Sequence, residues 1–230
     1  MTVDAAKRAA GEAAAALVED GMLVGLGTGS TVRFLVDALG RRTHDEGLRI
    51  TGVPTSEATA AQATALNIPL ADPEAAIDLA IDGADEVERG TLRLIKGLGG
   101  ALVREKIVAQ LARRFVVVAD ATKVVDCLGE RSPLPVEVVR FGLAATTRRI
   151  AEAGGAPVLR RAGAEQFVTD NGNVVLDCPG FAPIRDPFTL ERTLRAIAGV
   201  VGTGLFLDMA ERAIVADADG GISTMVRGGA

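Results

Sequence analysis

Hydrophobic residues in the first part of the chain follow two alternating patterns. Apolar side chains recur at helical intervals over residues 4–19, and Gly21 is a typical helix stop. Short continuous apolar runs, typical of buried strands, then alternate with further helical segments. The predicted strands are 22–26, 49–53, 68–70, 76–81, 92–95 and 115–119, and the predicted helices are 32–42, 58–66 and 101–114. Strands that alternate with helices form parallel units, so we expect an α/β fold with a doubly wound, mostly parallel, Rossmann-like sheet.

The pattern changes after residue 129, where turn residues and prolines precede a second set of elements. Asn171-Gly172 lies between two β-prone runs, which is a strong hairpin signal. The order is strand–helix–strand–strand–helix–strand, with helices at 142–153 and 188–198 and strands at 158–161 and 200–206 among them. We therefore expect a small α+β, ferredoxin-like domain at 131–206, inserted into a larger α/β catalytic domain of residues 1–130 and 207–230. The tail is expected to form two short strands around an Asp-Gly-Gly turn.

Composition and charge exclude several classes of function. The chain has 25 basic and 30 acidic residues and a net charge of -5, whereas a nucleic-acid-binding protein usually presents a basic face. Only 3% of the residues are aromatic, so stacking platforms for bases are scarce too. No apolar run reaches the roughly 18 residues of a membrane span, and charged residues interrupt the N-terminal segment where a signal peptide would be apolar. We expect a soluble, cytoplasmic protein with no nucleic-acid or membrane partner.

Cysteine and histidine are too rare for several kinds of site. Two cysteines and one histidine exclude a zinc cage made of these residues in a single chain and make a disulfide framework improbable. The histidine, His44, lies in a polar stretch that is typical of a solvated loop. Acid–base chemistry therefore falls to carboxylates and lysines.

A glycine-rich segment follows the first predicted strand. Strand, glycine turn and helix together direct backbone N–H groups and a helix N-terminus at an anion. The dinucleotide pattern GxGxxG needs glycine where Ser30 stands, and no lysine follows Gly29 as a P-loop requires. The hydroxyl groups of Thr28, Ser30 and Thr31 instead favour a small phosphate site, and the alternative is a tight turn with a helix cap. Lys123 follows a later strand and is expected at the same sheet edge.

A second group of polar residues lies between residues 82 and 106. Asp82 and Asp85 follow a predicted strand, at the edge where open α/β sheets bind ligands. Lys96 precedes a glycine loop, and Glu105 shares one helix face with apolar residues, namely Leu98, Ala101, Leu102, Ala109 and Ala112. A structural carboxylate paired with an arginine is the alternative for Glu105. A carboxylate base beside a cation suits proton abstraction next to a carbonyl, as in aldose–ketose isomerisation of a sugar phosphate.

Eight sequence blocks in order resemble the A-type ribose-5-phosphate isomerases. They are VGLGTGST, TSEAT, DGADEV, LIKGLGGALVREKI, ADATK, PLPVEV, TDNGNVVLD and GVVGTGLF, and they cover essentially the whole chain. Leu98 occupies the variable position of the K-G-x-G-G motif, a minor departure. The resemblance implies interconversion of D-ribose 5-phosphate and D-ribulose 5-phosphate through an enediolate, in the non-oxidative pentose phosphate pathway.

The same resemblance implies roles for individual residues. Glu105 would be the base, Asp82 and Asp85 would handle the sugar oxygens, and Lys96 would stabilise the oxyanion. The predicted substrate-binding residues are Lys7, Thr28, Gly29, Ser30, Thr31, Asp82, Gly83, Ala84, Asp85, Lys96, Gly97, Leu98, Gly99 and Lys123. The family needs no metal or organic cofactor, and its members form homodimers or homotetramers.

Three alternatives for the function and the direction of one pKa shift stay open at this point. One alternative is a related sugar-phosphate isomerase or deaminase that uses another substrate, which the motifs disfavour. A sugar-phosphate sensor domain would normally follow a DNA-binding segment, and only about 20 residues precede the glycine loop; a nicotinamide-dependent dehydrogenase is disfavoured by Ser30. Burial should raise the pKa of Glu105, whereas Lys96, Arg104 and the helix N-terminus should lower it. The net direction of the pKa shift of Glu105 depends on distances between these groups, which the sequence does not contain.

Overall fold

The computed structural model describes residues 3–217 and 219–228. The described residues form the α-helices α1 Val3–Ala15, α2 Ser30–Asp45, α3 Glu57–Ala65, α4 Leu102–Leu111, α5 Leu143–Glu152 and α6 Pro187–Arg195. The strands are β1 Leu23–Leu26, β2 Thr51–Pro54, β3 Leu79–Gly83, β4 Glu86–Glu88, β5 Leu94–Ile95, β6 Phe115–Asp120, β7 Val124–Val125, β8 Leu134–Val138, β9 Val158–Leu159, β10 Arg161–Ala162, β11 Glu165–Gln166, β12 Val174–Cys178, β13 Val200–Thr203, β14 Leu205–Phe206, β15 Arg212–Ala216 and β16 Ile222–Val226. Residues 1, 2, 218, 229 and 230 of the predicted larger domain lie outside the described residues.

The largest sheet has six strands in the order β16-β15-β6-β3-β1-β2. All neighbours are parallel except the edge pair β15 and β16, which forms the hairpin expected for the tail. Successive residues of the central strands face opposite clusters: Leu79 and Ile81 pack with α1 and α2, while Ala80 and Val117 pack with α4. Because helices cover both faces, the strands can be apolar throughout. The predicted doubly wound sheet is confirmed.

A second sheet has the order β13-β8-β12-β9, and its neighbouring strands are antiparallel. With α5 and α6 packed on it through Ile150 and Leu194, it has the ferredoxin-like β-α-β-β-α-β arrangement expected from the sequence. The predicted strand 158–161 is shorter than expected, because Arg161–Ala162 turns away and pairs with Glu165–Gln166. The domain boundaries at 131 and 206 stay a prediction.

A third sheet, of order β14-β5-β4-β7, was missed by the sequence analysis. The single strand expected at 200–206 was wrong, because the chain passes at Gly204 from the second sheet into the third. A side chain cannot fit there, since a Cβ atom at Gly204 would lie 2.3 Å from the Lys96 carbonyl oxygen. Gly204 O accepts the Lys96 N–H at 2.9 Å, and the Gly204 N–H donates to Pro135 O at 2.7 Å. The backbone of Lys96 is therefore held at the junction of the two smaller sheets.

Several predicted boundaries also differ from the structure. The first helix ends at Ala15 rather than near residue 19, and α4 ends at Leu111 rather than at 114. The strand expected at 68–70 is only one bridge, between Gly52 and Leu70. Over the described residues, no helix combines the length and apolar character needed to cross a membrane.

Candidate active site

Three neighbouring strands of the large sheet, β1, β3 and β6, end at one edge and place the predicted polar residues around one cavity. The carboxyl ends of adjacent parallel strands form the ligand-binding edge of open α/β sheets. The cavity is lined by Lys7, Thr28, Gly29, Ser30, Thr31, Gly83, Ala84, Asp85, Lys96, Gly97, Gly99, Glu105, Ala119, Asp120 and Lys123. Most of the predicted site residues thus meet at the expected place.

The glycine loop after β1 allows the sheet edge and α2 to approach each other closely. A Cβ atom at Gly27 would lie 2.2 Å from Cγ of Asp82, so only glycine fits. Gly29 has a φ of 120°, and α2 begins at Ser30 directly after it. The first N–H groups of a helix have no acceptor within the helix, so the start of α2 can bind an anion that enters the cavity.

Hydroxyl groups behind the loop hold Thr28 in place. Its Oγ1 atom lies 2.7 Å from Oγ1 of Thr55 and 2.9 Å from Oγ of Ser56. Thr55 and Ser56 are almost fully buried and do not line the cavity. Part of the hydroxyl cluster therefore shapes the loop, and Thr28, Ser30 and Thr31 remain at the cavity wall.

The centre of the site is a buried group of three charged side chains from β3, the loop after β5 and α4. Lys96 Nζ lies 3.1 Å from Oδ2 of Asp82 and 3.3 Å from Oε1 of Glu105. It also donates to the carbonyl oxygen of Gly83 at 2.5 Å. Asp82, Lys96 and Glu105 are 3%, 2% and 5% exposed. Such a group persists in the interior only because its members compensate one another.

Asp82 forms the back of this group. Its Oδ1 atom accepts the N–H groups of Thr28 at 3.0 Å and Gly83 at 2.7 Å, while Oδ2 faces Lys96. Burial raises the pKa of Asp82, and Lys96 and these two N–H groups offset only part of the increase. Asp82 is absent from the cavity lining, and its carboxylate contacts the Lys96 ammonium and two backbone N–H groups instead.

Glu105 presents a free carboxylate oxygen at the cavity. Oε1 faces Lys96, and among the described residues the buried Oε2 atom has no hydrogen-bond partner. Burial raises the pKa of Glu105 to about 8; Asp82 and Asp85 add to the increase, and Lys96 opposes it. A buried carboxylate with a raised pKa and an unused oxygen can take up a proton at near-neutral pH.

Two expectations from the sequence placed an arginine beside Glu105, and the structure places Lys96 there instead. The alternative of a structural pair with an arginine is wrong, because the partner is Lys96. The expectation that Arg104 lowers the pKa of Glu105 is also wrong. The Arg104 side chain points away and donates to Oε1 of Glu57 at 2.8 Å and to Oδ1 of Asn171 at 2.9 Å.

Lys96 remains protonated in this setting. Burial lowers its pKa, but Asp82, Glu105 and Asp85 together raise it further, so the net direction is upward. The Lys96 ammonium also lies 5.5 Å from the centre of the Phe206 ring. A fixed positive charge therefore stands beside the base, where it can stabilise an oxyanion.

Asp85 and the glycine loop 97–100 form another wall of the cavity. Oδ2 of Asp85 accepts the Leu98 N–H at 2.9 Å. Gly97 and Gly99 line the cavity, whereas Leu98 does not, and its side chain is 40% exposed. The expected apolar helix face is therefore wrong at Leu98, although Leu102, Glu105 and Ala109 are buried as predicted.

Two lysines line the same cavity as the glycine loop before α2. Lys7 comes from α1, and Lys123 ends a short 3₁₀ turn after β6. Within residues 3–217 and 219–228, neither lysine forms an ion pair, so both ammonium groups are available to an anionic ligand. The sequence analysis missed Asp120, whose Oδ1 atom accepts the Thr122 N–H at 3.0 Å and shapes this turn. Its position next to the predicted Lys123 was the available signal.

The described part of the chain contains no group of three or more His, Cys, Asp or Glu side chains arranged to hold a metal ion. The cations that face the cavity are lysine ammonium groups.

The fold and the site define an α/β protein that can transfer protons on a small anionic ligand. Residues 51–220 match the model of the family described as Ribose 5-phosphate isomerase A (phosphoriboisomerase A), and the chain belongs to this family. It is 54% identical over 219 residues to a ribose-5-phosphate isomerase A of Gluconobacter oxydans, covering 93% of this chain and 94% of that relative. The resemblance stated from the sequence blocks is confirmed.

Solved structures agree over nearly the full length. The ribose 5-phosphate isomerase A of Methanocaldococcus jannaschii has a TM-score of 0.92 at 39% identity, covering 98% of this chain and 100% of that one. A D-ribose-5-phosphate isomerase solved in complex with phospho-erythronic acid has a TM-score of 0.93 at 37% identity, covering 99% and 100%.

Proposed function

We propose that this protein interconverts D-ribose 5-phosphate and D-ribulose 5-phosphate through an enediolate, as an isomerase of the non-oxidative pentose phosphate pathway. The observation that carries the proposal is the carboxylate of Glu105, whose Oε1 atom faces the Lys96 ammonium and whose buried Oε2 atom has no hydrogen-bond partner among the described residues. A base and a fixed cation in one cavity are the two groups that an aldose–ketose proton shift requires. Family membership supplies the substrate class.

The phosphate group is assigned to the end of the cavity that carries the helix N-terminus and the free lysines. The N–H groups at the start of α2 and the hydroxyls of Thr28, Ser30 and Thr31 can donate to phosphate oxygens. Lys123 and Lys7 add positive charge there. Binding the phosphate at a fixed point places the other end of the sugar next to Glu105, which reduces the entropy lost at the transition state.

The two aspartates receive different assignments. Asp85 lines the cavity, so we assign to it the direct contact with sugar hydroxyls and a part in opening the furanose ring. Asp82 touches Lys96 and not the cavity, so we assign to it the placement of the ammonium and a contribution to the local charge. The site therefore carries one aspartate for the substrate and one for the lysine.

The proton shift uses Glu105 twice. As a carboxylate it removes the proton from C2 of the open-chain aldose; the C–H electrons form the C1=C2 bond, and the carbonyl electrons move to the C1 oxygen. Lys96 and the N–H groups of Gly97 and Gly99 stabilise that oxygen. Glu105 then returns the proton to C1, while the C2 hydroxyl passes its proton to the C1 oxygen and becomes the carbonyl of the ketose. Atoms and charge balance without an external oxidant.

The first test is conversion of ribose 5-phosphate by the purified protein with excess EDTA, wild type beside Glu105→Gln. We expect EDTA-resistant conversion by the wild type and a loss of about 10²–10⁴-fold in the variant, since a general base contributes that much. The exposed Glu152→Gln is the matched control and should keep wild-type turnover. Near-normal turnover by Glu105→Gln contradicts the assignment of the base, and no conversion by a folded wild type contradicts the proposed function.

A binding measurement complements turnover. A relative was solved with phospho-erythronic acid, and we propose that this chain binds the same compound in its cavity. The compound carries a phosphate and a planar carboxylate, so it resembles the enediolate in shape and charge. Calorimetric titration should show tight binding to the wild type. Glu105→Gln should still bind the compound, because the proposed phosphate site is unchanged in the variant.

We also infer that the protein forms a homodimer or homotetramer and acts in the cytoplasm, from the family resemblance. Sedimentation velocity gives the oligomeric state, and a mass of one chain at working concentration contradicts the first inference. Fractionation of cells that produce the protein tests the second.

A further inference from the structure

An arginine that follows β9 of the second sheet contacts the glycine loop 97–100 and lies outside the cavity lining. Arg160 lies between β9 and β10, and its side chain is only 12% exposed. Its Nη1 atom donates to the carbonyl oxygens of Gly97 at 2.8 Å and Leu98 at 2.9 Å. Arg160 does not line the cavity. It therefore acts on the loop and not on a ligand.

The guanidinium is held in this orientation by a carboxylate of β12. Nε of Arg160 donates to Oδ2 of Asp177 at 2.9 Å, and Nη2 donates to Oδ1 at 2.5 Å. A two-point contact with a carboxylate fixes the orientation of a planar guanidinium. A lysine ammonium cannot be oriented in this way. The remaining nitrogen, Nη1, then points at the two carbonyl groups.

Contacts to the two carbonyl groups define where the N–H groups of the same peptides point. The peptides of this loop are trans, so the C=O and N–H of each lie on opposite sides. With the Gly97 carbonyl bound to Arg160, the Leu98 N–H donates to Oδ2 of Asp85 at 2.9 Å. With the Leu98 carbonyl bound to Arg160, the Gly99 N–H points away from Arg160. Gly99 lines the cavity, and its N–H has no acceptor within the described residues.

The loop has little intrinsic preference for this arrangement. Gly97 and Gly100 have φ values of 107° and 83°, a region open mainly to glycine, and glycine chains are conformationally permissive. Packing holds both ends, because a Cβ atom at Gly97 would lie 2.8 Å from Leu102 and one at Gly100 would lie 2.3 Å from Cζ of Phe167. Within the loop the Gly100 N–H donates to the Gly97 carbonyl at 2.9 Å. The peptide between Leu98 and Gly99 has no such bond inside the loop, so its orientation depends on the hydrogen bond from Arg160.

We propose that Arg160, anchored by Asp177, is a positioning residue for the isomerase reaction. It holds the two peptides of Gly97, Leu98 and Gly99 so that Asp85 is fixed at the cavity wall and the Gly99 N–H faces the oxygen that becomes negative in the transition state. The inference rests on the proposed function. Hydrogen bonds from a cation to both carbonyls also polarise the peptides and strengthen their N–H groups as donors.

The test compares Arg160→Gln and Arg160→Lys with Arg161→Gln, a matched control whose arginine is exposed and bonds only the nearby Ala164 carbonyl. Removing one oxyanion donor costs about 10²–10³-fold in kcat, and a misoriented donor should cost less, about 10–100-fold. We expect that loss in both Arg160 variants, with KM for ribose 5-phosphate changed less than about threefold, because the phosphate end is untouched. Arg161→Gln should match the wild type.

Two further readouts separate positioning from a general structural role. The dissociation constant of phospho-erythronic acid should increase in the Arg160 variants, while that of inorganic phosphate should stay unchanged. In Arg160→Ala, guanidinium at low, non-denaturing concentration should restore part of kcat, and ammonium should not, because only the planar cation can bridge Asp177 and the carbonyls.

Unchanged kcat in folded Arg160→Gln or Arg160→Lys overturns the proposal. So does a loss that is accompanied by equally weakened phosphate binding and is not rescued by guanidinium. If the wild type itself does not convert ribose 5-phosphate, the proposed function fails. In that case the dissociation constants of phospho-erythronic acid and inorganic phosphate still test whether Arg160 orients the loop. An increase in the first without an increase in the second supports that role.

Discussion

Two buried glutamates of this protein have opposite surroundings. Glu86 on β4 is 0% exposed, and its carboxylate accepts the N–H groups of Gly129 at 2.6 Å and of Arg131 and Ser132 at 2.7 Å each. Glu105 on α4 is 5% exposed and has one oxygen facing Lys96 and one without a partner in the described chain. The first carboxylate is occupied in folding the 129–132 loop. The second keeps the capacity to accept a proton.

Glu137 shows that an unpartnered oxygen alone does not make a base. Its Oε1 atom accepts hydrogen bonds from Thr169, Asn171 and Asn173, and among the described residues Oε2 has no partner. It does not line the cavity that Glu105 lines, and among the described residues no cation pairs with it. Glu105 differs because its carboxylate pairs with a lysine and the residue also lines a cavity.

The first effect expected from this comparison is a pH dependence that belongs to Glu105. Because its pKa is raised to about 8, the carboxylate form becomes scarcer below that pH. We expect kcat/KM of the wild type to fall about tenfold as the pH decreases from about 9 to about 7, in proportion to the fraction of Glu105 that is ionised. The substrate phosphate ionises near pH 6, so it does not account for a change in this range. A flat profile between about pH 7 and pH 9 contradicts the assignment.

The same shift predicts a trend in stability. A carboxyl group whose folded pKa lies above its ordinary value of 4.5 stabilises the folded state below that value, and the contribution is lost as the pH rises toward about 8. The free energy of unfolding of the wild type should therefore decline relative to Glu105→Gln between about pH 5 and pH 8. Urea denaturation at several pH values measures the difference.

The opposite effect, on stability and not on turnover, is expected for Glu86→Gln. The amide NH₂ group would face a backbone N–H, so at least one buried donor loses its acceptor, and the free energy of unfolding should fall by about 2–3 kcal/mol. Turnover per folded molecule should stay at the wild-type value. Denaturant unfolding and activity of the same sample give both quantities, with the exposed Glu152→Gln as control. A stable Glu86→Gln variant without activity would remove the distinction between the two glutamates.

A third effect is expected at a lysine of the cavity wall, for Lys123→Ala. Loss of one charged contact to the proposed phosphate site should raise KM about tenfold and leave kcat nearly unchanged, since the proposed function places the reacting carbons near Glu105. Arg89→Ala also removes one positive charge, but its side chain is 66% exposed and lies outside the cavity, so its KM should not change. An unchanged KM with a reduced kcat would place Lys123 near the reacting carbons.

Much of the architecture could be predicted because its signals are local. The strand, glycine turn and helix around Thr28 lie within one short segment, and parallel strands necessarily bring their carboxyl ends to one edge. The β-α-β-β-α-β order of the second sheet also follows from the sequence of elements. The third sheet could not be predicted, because three of its strands have only two residues, too few for a periodic pattern.

The sequence by itself determined the class of fold, the sheet edge of the site, and the family, because apolar periodicity, glycine turns and ordered motifs are properties of the linear chain. Tertiary structure alone decided which glutamate is free and which is occupied, why Arg104 turns to Glu57 and Asn171, and how Arg160 reaches the 97–100 loop. These outcomes depend on distances between residues far apart in the chain. The pKa of Glu105 is the clearest case, since burial and three neighbouring charges oppose one another and only their geometry gives the sign.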